Sequence, residues 1–329
     1  MWPVDVSYSW HDGSDLYFED VGGKQRTVLT NRLLREPAAF FAPSADHRRK
    51  HYINSPGDGP QQDAWATAWL RIQGHTPATA LYPPTQYVHA FWLNRHLGLL
   101  AIQYWFFYPF NDWVNRHEGD WEHVATVFKG PTALENPGAF TPVATFFYFH
   151  EWVHEAKQVL HLRGGSAAAK HPVVFVGGQG DMWNLWHCSH RQSGGSYPCA
   201  GRFANAGADR GWLVSPSEQV QPPARIILPE DFRLVMLPEP DHVSERQWPQ
   251  LWWLRWNLFF GQRRIDGNLP LMGALALDHP PHHPGQHVDW NMRTKRRLWP
   301  GIAPPTNPLV LPAAVRDRLV TIDDRAKLT

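Results

Sequence analysis

The densest set of chemically active side chains lies in the segment NDWVNRHEGDWEH, which offers carboxylates at Asp112, Asp120 and Glu122 and an imidazole at His117. Two carboxylates held side by side repel each other unless a proton or a cation lies between them. Three acidic oxygen donors with one imidazole suit a hard divalent cation such as Mg²⁺, Ca²⁺ or Mn²⁺, whereas Zn²⁺ favours more His and Cys ligands. The alternative is a solvated loop in which an acid pairs with the arginine of the segment.

The placement of these side chains depends on the strand that follows them. A strand over 121–128 directs Asp120 and Glu122 to one face and Trp121 and His123 to the other, because side chains alternate along a strand. The tryptophan can then enter the core. A tight turn at the preceding glycine would bring the first aspartate and the first imidazole of the segment back over the two carboxylates.

The chain resembles the vacuolar protein sorting sixty-two related family in three segments, QYWFFYPFN from Gln103, HEGDWEHV from His117 and HPVVFV from His171. The H-x-x-D-W-E core is also similar to the GHRHDWE heptad of the necrosis- and ethylene-inducing-like proteins. Those are β-sandwich proteins that bind a divalent cation and recognise sphingolipid head groups at membranes. The resemblance implies that four residues occupy cation-site positions: Asp112, His117, Asp120 and Glu122.

Both families carry a histidine after the VVFV-type strand, where this chain reads GGQGD and ends on Asp181. Asp181 can supply an oxygen ligand in its place, His150 is the other candidate, and otherwise the site is incomplete. Aromatic side chains near these positions are the predicted ligand contacts, while most of the 18 tryptophans are expected in the core. These contacts are Tyr108, Trp113, Trp183 and Trp186.

Residues His150–His154 spell H-E-x-x-H, which on a helix binds zinc through both histidines and uses the glutamate as general base. The preceding TPVATFFYFH predicts a strand, so a zincin-like metalloprotease is the minor alternative. In a single strand His150, Trp152 and His154 would share one face.

Short apolar segments bounded by Gly, Pro and Asn predict consecutive antiparallel strands. We therefore expect a mainly β chain, an antiparallel β-sandwich with long loops and a few peripheral helices. One domain would span 1–329, with its core at about 80–240 and the segments 1–60 and 261–329 wrapped around it. The candidate strands cover 98–108, 121–128, 142–150 and 171–177.

Two helices and one loop complete the predicted elements. An aromatic helix is expected over 246–260, and a weak helical pattern covers 312–327. The Pro-rich stretch after Gly261 carries four histidines that we expect in a solvated loop. These are His279, His282, His283 and His287.

Charge and hydropathy exclude several partners. The chain has 31 Lys plus Arg against 30 Asp plus Glu, so it lacks the basic excess of a nucleic-acid binder. Its apolar runs at 97–110 and 251–260 are shorter than the ~20 residues of a transmembrane helix. The start MWPVDVSYSWHDGSD lacks the pattern of a signal peptide, so the cytoplasm is the expected location. Cys188 and Cys199 can be reduced, joined in a disulfide, or zinc ligands with neighbouring histidines.

Two functions use the same cluster. The first is cation-dependent binding of a glycan, a glycolipid head group or a small apolar ligand near the HEGDWEH turn, with the peripheral membrane contact that the resemblance implies. The second is a metal-dependent hydrolase or lyase, in which His117 or His150 serves as general acid or base beside Glu122.

Overall fold

A mainly β architecture is confirmed in the computed structural model. The described residues are 3–10, 15–19, 25–29, 50–54, 71–73, 80–111, 117–149, 152–156, 158–163, 170–176, 195–197, 203–204, 213–214, 227–244, 246–256, 258–261, 281–293, 297–298 and 319–323. Their strands are β1 (Asp15–Glu19), β2 (Gln25–Leu29), β3 (Lys50–Asn54), β4 (Thr85–Asn94), β5 (Leu99–Asn111), β6 (His117–Lys129), β7 (Thr141–Phe149), β8 (Trp152–Ala156), β9 (Gln158–Arg163), β10 (Lys170–Pro172), β11 (Phe175–Val176), β12 (Ser196–Tyr197), β13 (Phe203–Ala204), β14 (Leu213–Val214), β15 (Arg233–Met236), β16 (Arg297–Leu298) and β17 (Leu319–Asp323).

The main sheet has seven strands in the order β15-β4-β5-β6-β7-β8-β16. Its five central strands are consecutive in the chain and pair antiparallel, as short polar connections favour. The two edge strands, β15 and β16, pair parallel with β4 and β8, so the sheet is mixed. The sandwich arrangement and the single-domain division stay predictions.

Smaller sheets and 3₁₀ helices surround this sheet. The small sheets are β2-β1-β3, β10-β9-β17, β11-β12 and β13-β14. The 3₁₀ helices are Val6–Trp10, Pro137–Ala139, Pro229–Asp231, Pro240–His242, Pro249–Arg255, Pro284–Gln286 and Trp290–Met292. Among the described residues, none of the helices combines the length and the apolar character needed to cross a membrane.

The predicted strands 98–108, 121–128 and 142–150 are confirmed as β5, β6 and β7, with ends that differ by a few residues. The predicted strand 171–177 is wrong as one element, because β10 and β11 belong to different sheets. The H-E-x-x-H segment is not one strand either. Strand β7 ends at Phe149, which pairs with Trp152 of β8. His154 therefore lies on a strand, and not on the helix that a zincin requires.

Both predicted helices also differ from the structure. Among the described residues of 246–260, the helical ones form the 3₁₀ helix Pro249–Arg255, with a kink at Leu251. Aromatic side chains lose rotamer freedom in a regular α-helix. The tryptophans of this segment pack on one another, with the ring centroids of Trp252 and Trp256 4.0 Å apart. Within 312–327 the described residues form β17, whose sequence LVTID is rich in β-branched residues that favour strands.

One face of the main sheet carries most of the core and is called the aromatic face. Its side chains include Tyr87 on β4, Trp105 on β5 and Trp121 on β6. The N-terminal segment and the 3₁₀ helix Pro249–Arg255 pack on it through Val4 and Trp253. Trp121 lies 5.7 Å from Trp253 in a stacked arrangement, so the aromatic excess of the sequence is a core feature here.

Two glycines allow a backbone crossing at the start of β6. Gly119 has a φ of +65°, and a Cβ added there would lie 1.6 Å from the carbonyl oxygen of Phe260. A Cβ added at Gly261 would lie 1.9 Å from the carbonyl oxygen of Glu118. The backbone segments at Gly119 and Gly261 therefore lie so close together that any side chain at either glycine would clash.

Candidate metal centre

Strand β6 separates the predicted cluster into two groups. Trp121 belongs to the aromatic face, whereas Val124, three residues further along β6, packs in a separate cluster on the opposite face. Asp120 pairs in register with Tyr108, and Glu122 pairs with Phe106 of that opposite face. The predicted alternation is therefore confirmed, and it separates the carboxylates of Asp120 and Glu122 from His123.

The His123 ring is fixed between two aromatic rings on the aromatic face. It stacks on Trp105 of β5 at 4.1 Å and on Tyr148 of β7 at 4.0 Å, with interplanar angles of 19° and 25°. Trp105 is its direct register partner, and such cross-strand pairs are the units that stabilise a sheet. Packing on both sides leaves His123 2% exposed, so its ring orientation is determined by the sheet.

The C-terminal segment 283–292 brings two further donors to His123. The Asp289 Oδ2 atom lies 3.9 Å from His123 Nε2 and 3.5 Å from His287 Nδ1. One ligand atom from each residue falls within 4.8 Å of the other two. Asp289 is buried, whereas the His287 side chain is 26% exposed. The group therefore lies just below the surface, with His287 at its rim.

The spacing of the three donors suits a metal ion. Nitrogen and oxygen ligands at 2.0–2.1 Å from a tetrahedral ion lie about 3.3 Å apart. Binding therefore requires the three donor atoms, which lie within 4.8 Å of one another, to move closer together. The backbone N–H of Asp289 donates to His287 Nδ1 at 3.2 Å. Coordination of a metal through that nitrogen would use the lone pair that now accepts this hydrogen bond, so the bond would open when the ion binds. Among the residues that the structure describes, His123, His287 and Asp289 form the one group of three His, Cys, Asp or Glu residues whose ligand atoms all lie within 4.8 Å of one another.

The segment 283–292 is tied to the sheet through the backbone on both sides of Trp290. Gln103 of β5 is fully buried, and its side-chain Nε2 donates to the Asp289 carbonyl oxygen at 2.8 Å. Its Oε1 accepts from the Asn291 backbone N–H at 3.1 Å. The ring of Trp290 stacks on His89 of β4 at 3.8 Å. These contacts hold Asp289 over the sheet.

The predicted carboxylate pair lies together on the opposite face of the sheet. Asp120 and Glu122 are half-buried, and both act on Tyr108, which is buried. Burial first, then the negative charges of Glu122 and Asp120, raise the pKa of Tyr108 well above its usual value. Tyr108 therefore stays a neutral phenol beside two acids, and its role as a ligand contact stays a prediction.

His117 is buried at the start of β6 and donates from Nδ1 to the Gly119 carbonyl oxygen at 2.8 Å. The predicted turn at Gly119 is wrong, because β6 already pairs with β5 at His117, opposite Asn111. The positive φ of Gly119 serves the backbone crossing with Phe260 rather than a chain reversal. Roles for His117 and Glu122 in catalysis stay predictions.

The remaining predicted residues lie outside the described part of the chain, and their roles stay predictions. They are Asp112, Trp113, His150, Asp181, Trp183 and Trp186, together with both cysteines, Cys188 and Cys199.

The sequence patterns do not predict the two C-terminal donors, His287 and Asp289. His283 and His287 were expected in a solvated loop, but His283 is 1% exposed and His287 is mostly buried. Burial follows from Trp290 and Met292, which pack on the hydrophobic clusters of the sheet. The pattern H-x-D-W over His287–Trp290 was the available signal, since it joins two ligand types to an anchoring aromatic.

No protein-family model matches the chain, and no curated protein or solved structure is significantly similar to it. The family resemblance of the HEGDWEHV segment therefore stays a prediction.

Proposed function

We propose that the chain binds one divalent metal ion through His123, His287 and Asp289. The observation that supports this is the approach of three donors from two distant segments to within 4.8 Å. Two imidazoles and one carboxylate suit Zn²⁺, Fe²⁺ or Mn²⁺ better than Mg²⁺ or Ca²⁺, which prefer oxygen ligands. A transition metal is therefore the preferred ion at this centre, in contrast to the hard cation expected for the carboxylate cluster.

Three protein ligands leave at least one coordination position for water or for an oxygen atom of a ligand. Structural zinc sites are usually closed by four protein ligands, whereas catalytic sites keep such a position open. The partial exposure of His287 gives that position a route to solvent. A metal-dependent hydrolase or lyase, in which the ion activates bound water, is therefore our preferred function. Cation-dependent binding of an oxygen-rich ligand such as a glycan uses the same position.

Metal analysis of purified protein tests the centre. After removal of metal and reloading with Zn²⁺, we expect about one ion per chain in the wild type. Asp289→Asn and His287→Gln should each lower this content strongly, because both remove a ligand with little change of shape. Asp241→Asn and His96→Gln remove exposed residues of the same types and should keep the ion. An unchanged zinc content in both ligand variants would contradict the proposal.

The same measurement separates this centre from the carboxylate cluster. Asp120→Asn and Glu122→Gln should leave the zinc content unchanged, because these side chains lie on the opposite face of the sheet. Loss of the ion in these variants, with retention in Asp289→Asn, would place it in the cluster predicted from sequence. Hydrolysis of model carboxylic and phosphate esters by the loaded protein, compared with Asp289→Asn, then tests catalysis against binding.

A further inference from the structure

Asp289 is followed in the chain by two residues that a single carboxylate holds. Glu239 accepts from the Trp290 indole Nε1 at 2.9 Å through Oε2, and from the Asn291 side-chain Nδ2 at 2.8 Å through Oε1. His89 completes the arrangement, and we call these four residues the Glu239 clamp: His89, Glu239, Trp290 and Asn291. We propose that Glu239 is a positioning residue, which holds Asp289 in place and thereby sets the affinity of the metal centre. The inference rests on the proposed function.

His89 fixes the far side of the Asn291 amide. Its Nε2 lies 2.7 Å from Asn291 Oδ1, and its Nδ1 lies 3.0 Å from the Leu237 carbonyl oxygen. Both of these oxygens are hydrogen-bond acceptors, and Glu239 Oε1 lies 3.5 Å from His89 Nε2. Because its oxygen faces His89 and its nitrogen faces Glu239, the Asn291 amide has one favourable orientation.

The carboxylate of Glu239 is suited to this role over the ordinary pH range. Burial alone would raise its pKa, but the hydrogen bonds from Trp290 and Asn291 and the adjacent His89 outweigh burial and lower it. Glu239 therefore remains an ionised double acceptor. A glutamine at this position keeps one acceptor oxygen and loses the other, so it weakens the clamp without removing the side chain.

The backbone that follows Asp289 needs such a restraint. Asn291 and Met292 have φ values of 61° and 52°. Asparagine tolerates this left-handed conformation, but methionine rarely adopts it. Gln103 bonds the backbone at Asp289 and Asn291, whereas Glu239 holds the side chains of Trp290 and Asn291. Loss of the Glu239 carboxylate should therefore let this turn relax, which moves Asp289 away from His123.

The test compares Glu239→Gln and Glu239→Ala with Glu135→Gln, which removes an exposed carboxylate in a loop. Zinc affinity is measured by chelator competition, and amide hydrogen exchange over 287–292 is measured on the metal-free protein. We expect about tenfold weaker zinc binding in the glutamine variant and up to about 100-fold in the alanine variant, the range seen when groups that orient metal ligands are removed. Exchange over 287–292 should become faster in both variants and stay unchanged in the control.

Zinc affinity and exchange together separate the proposals. A purely structural role for Glu239 would lower the unfolding midpoint and leave the zinc dissociation constant of the folded protein unchanged. A dissociation constant within twofold of wild type in Glu239→Ala would overturn the positioning role. If the wild type itself binds no zinc, the proposed function fails. Unchanged exchange over 287–292 in Glu239→Ala would then overturn the positioning proposal too, whereas faster exchange would support the hold on Asp289.

Discussion

Replacing Gln103 with leucine removes the side chain that ties the C-terminal segment to the main sheet. The change keeps a similar volume in a fully buried position, so it tests hydrogen bonding rather than packing. It leaves the Asp289 carbonyl oxygen without its 2.8 Å partner and the Asn291 N–H without its 3.1 Å partner. Both of these groups belong to the turn that carries Asp289, the proposed metal ligand.

The expected loss of stability follows from those two groups. A buried polar group without a partner costs about 1–3 kcal/mol, and two such groups cost about 2–6 kcal/mol. Extra apolar burial by leucine offsets about 1 kcal/mol of this, since a buried methylene contributes roughly that amount. The free energy of unfolding should therefore fall by about 3 kcal/mol, a large part of the usual total of about 5–15 kcal/mol.

Urea unfolding of the metal-free protein measures this difference. With a slope of about 3 kcal/mol per molar urea, the midpoint of Gln103→Leu should move down by about 1 M. Gln86→Leu is the matched control, because Gln86 is a half-buried glutamine on the adjacent strand β4. The free energy of unfolding of Gln86→Leu should differ from that of the wild type by no more than about 0.5 kcal/mol, as for a surface substitution.

A free energy of unfolding of Gln103→Leu within about 0.5 kcal/mol of the wild-type value would refute the reasoning. It would mean that the segment 283–292 is held by packing alone. A normal loss of stability with unchanged zinc affinity would instead separate the anchoring of the segment from the geometry of the centre.

Three further outcomes are expected. Gly119→Ala should lower stability by about 3 kcal/mol in a thermal melt, because its Cβ would lie 1.6 Å from the Phe260 carbonyl oxygen, whereas Gly138→Ala should be neutral. Burial, with the nearby charge of a second histidine, lowers the pKa of His283 to about 3, so the stability it contributes is present above about pH 6.5 and is lost as pH falls toward 3. His283→Gln should therefore reduce the pH slope of stability in that window by up to about 1.4 kcal/mol per pH unit, as followed by urea unfolding at several pH values. Zinc at 100 times its dissociation constant should raise the free energy of unfolding of the wild type by about 2.7 kcal/mol. The same zinc concentration should not change the stability of Asp289→Asn, and calorimetry measures the difference.

The strands of the main sheet were predictable because their signal is local. The apolar run before Asn111 and the segment from Trp121 to Val127, which is buried along most of its length, each lie within one strand. Strand alternation alone placed His123 opposite Asp120 and Glu122. The same rule could not show what covers His123, because that depends on a residue far along the chain.

The C-terminal half of the centre was not predictable from local pattern. Proline and histidine over 281–287 resemble a solvated loop, and the residues that bury this segment, Trp290 and Met292, follow it without helical or strand periodicity. The left-handed backbone at Asn291 and Met292 is stabilised by contacts with β4, β5 and Glu239, none of which is near in sequence. Tertiary contacts of this kind leave no periodic trace.

The distance along the chain between the two halves of the centre has a consequence for biosynthesis. Gln103 and Asp289, which hold the halves together, are 186 residues apart. A ribosome therefore completes β5 and β6 long before His287 and Asp289 emerge, and closing so long a loop is slow. If the proposed centre binds metal, the ion would not nucleate folding of the nascent chain, in contrast to compact zinc modules whose ligands are close in sequence. The ion would be captured only after translation has passed residue 289, so the cell's free metal at that stage, rather than during synthesis of the sheet, would determine its occupancy.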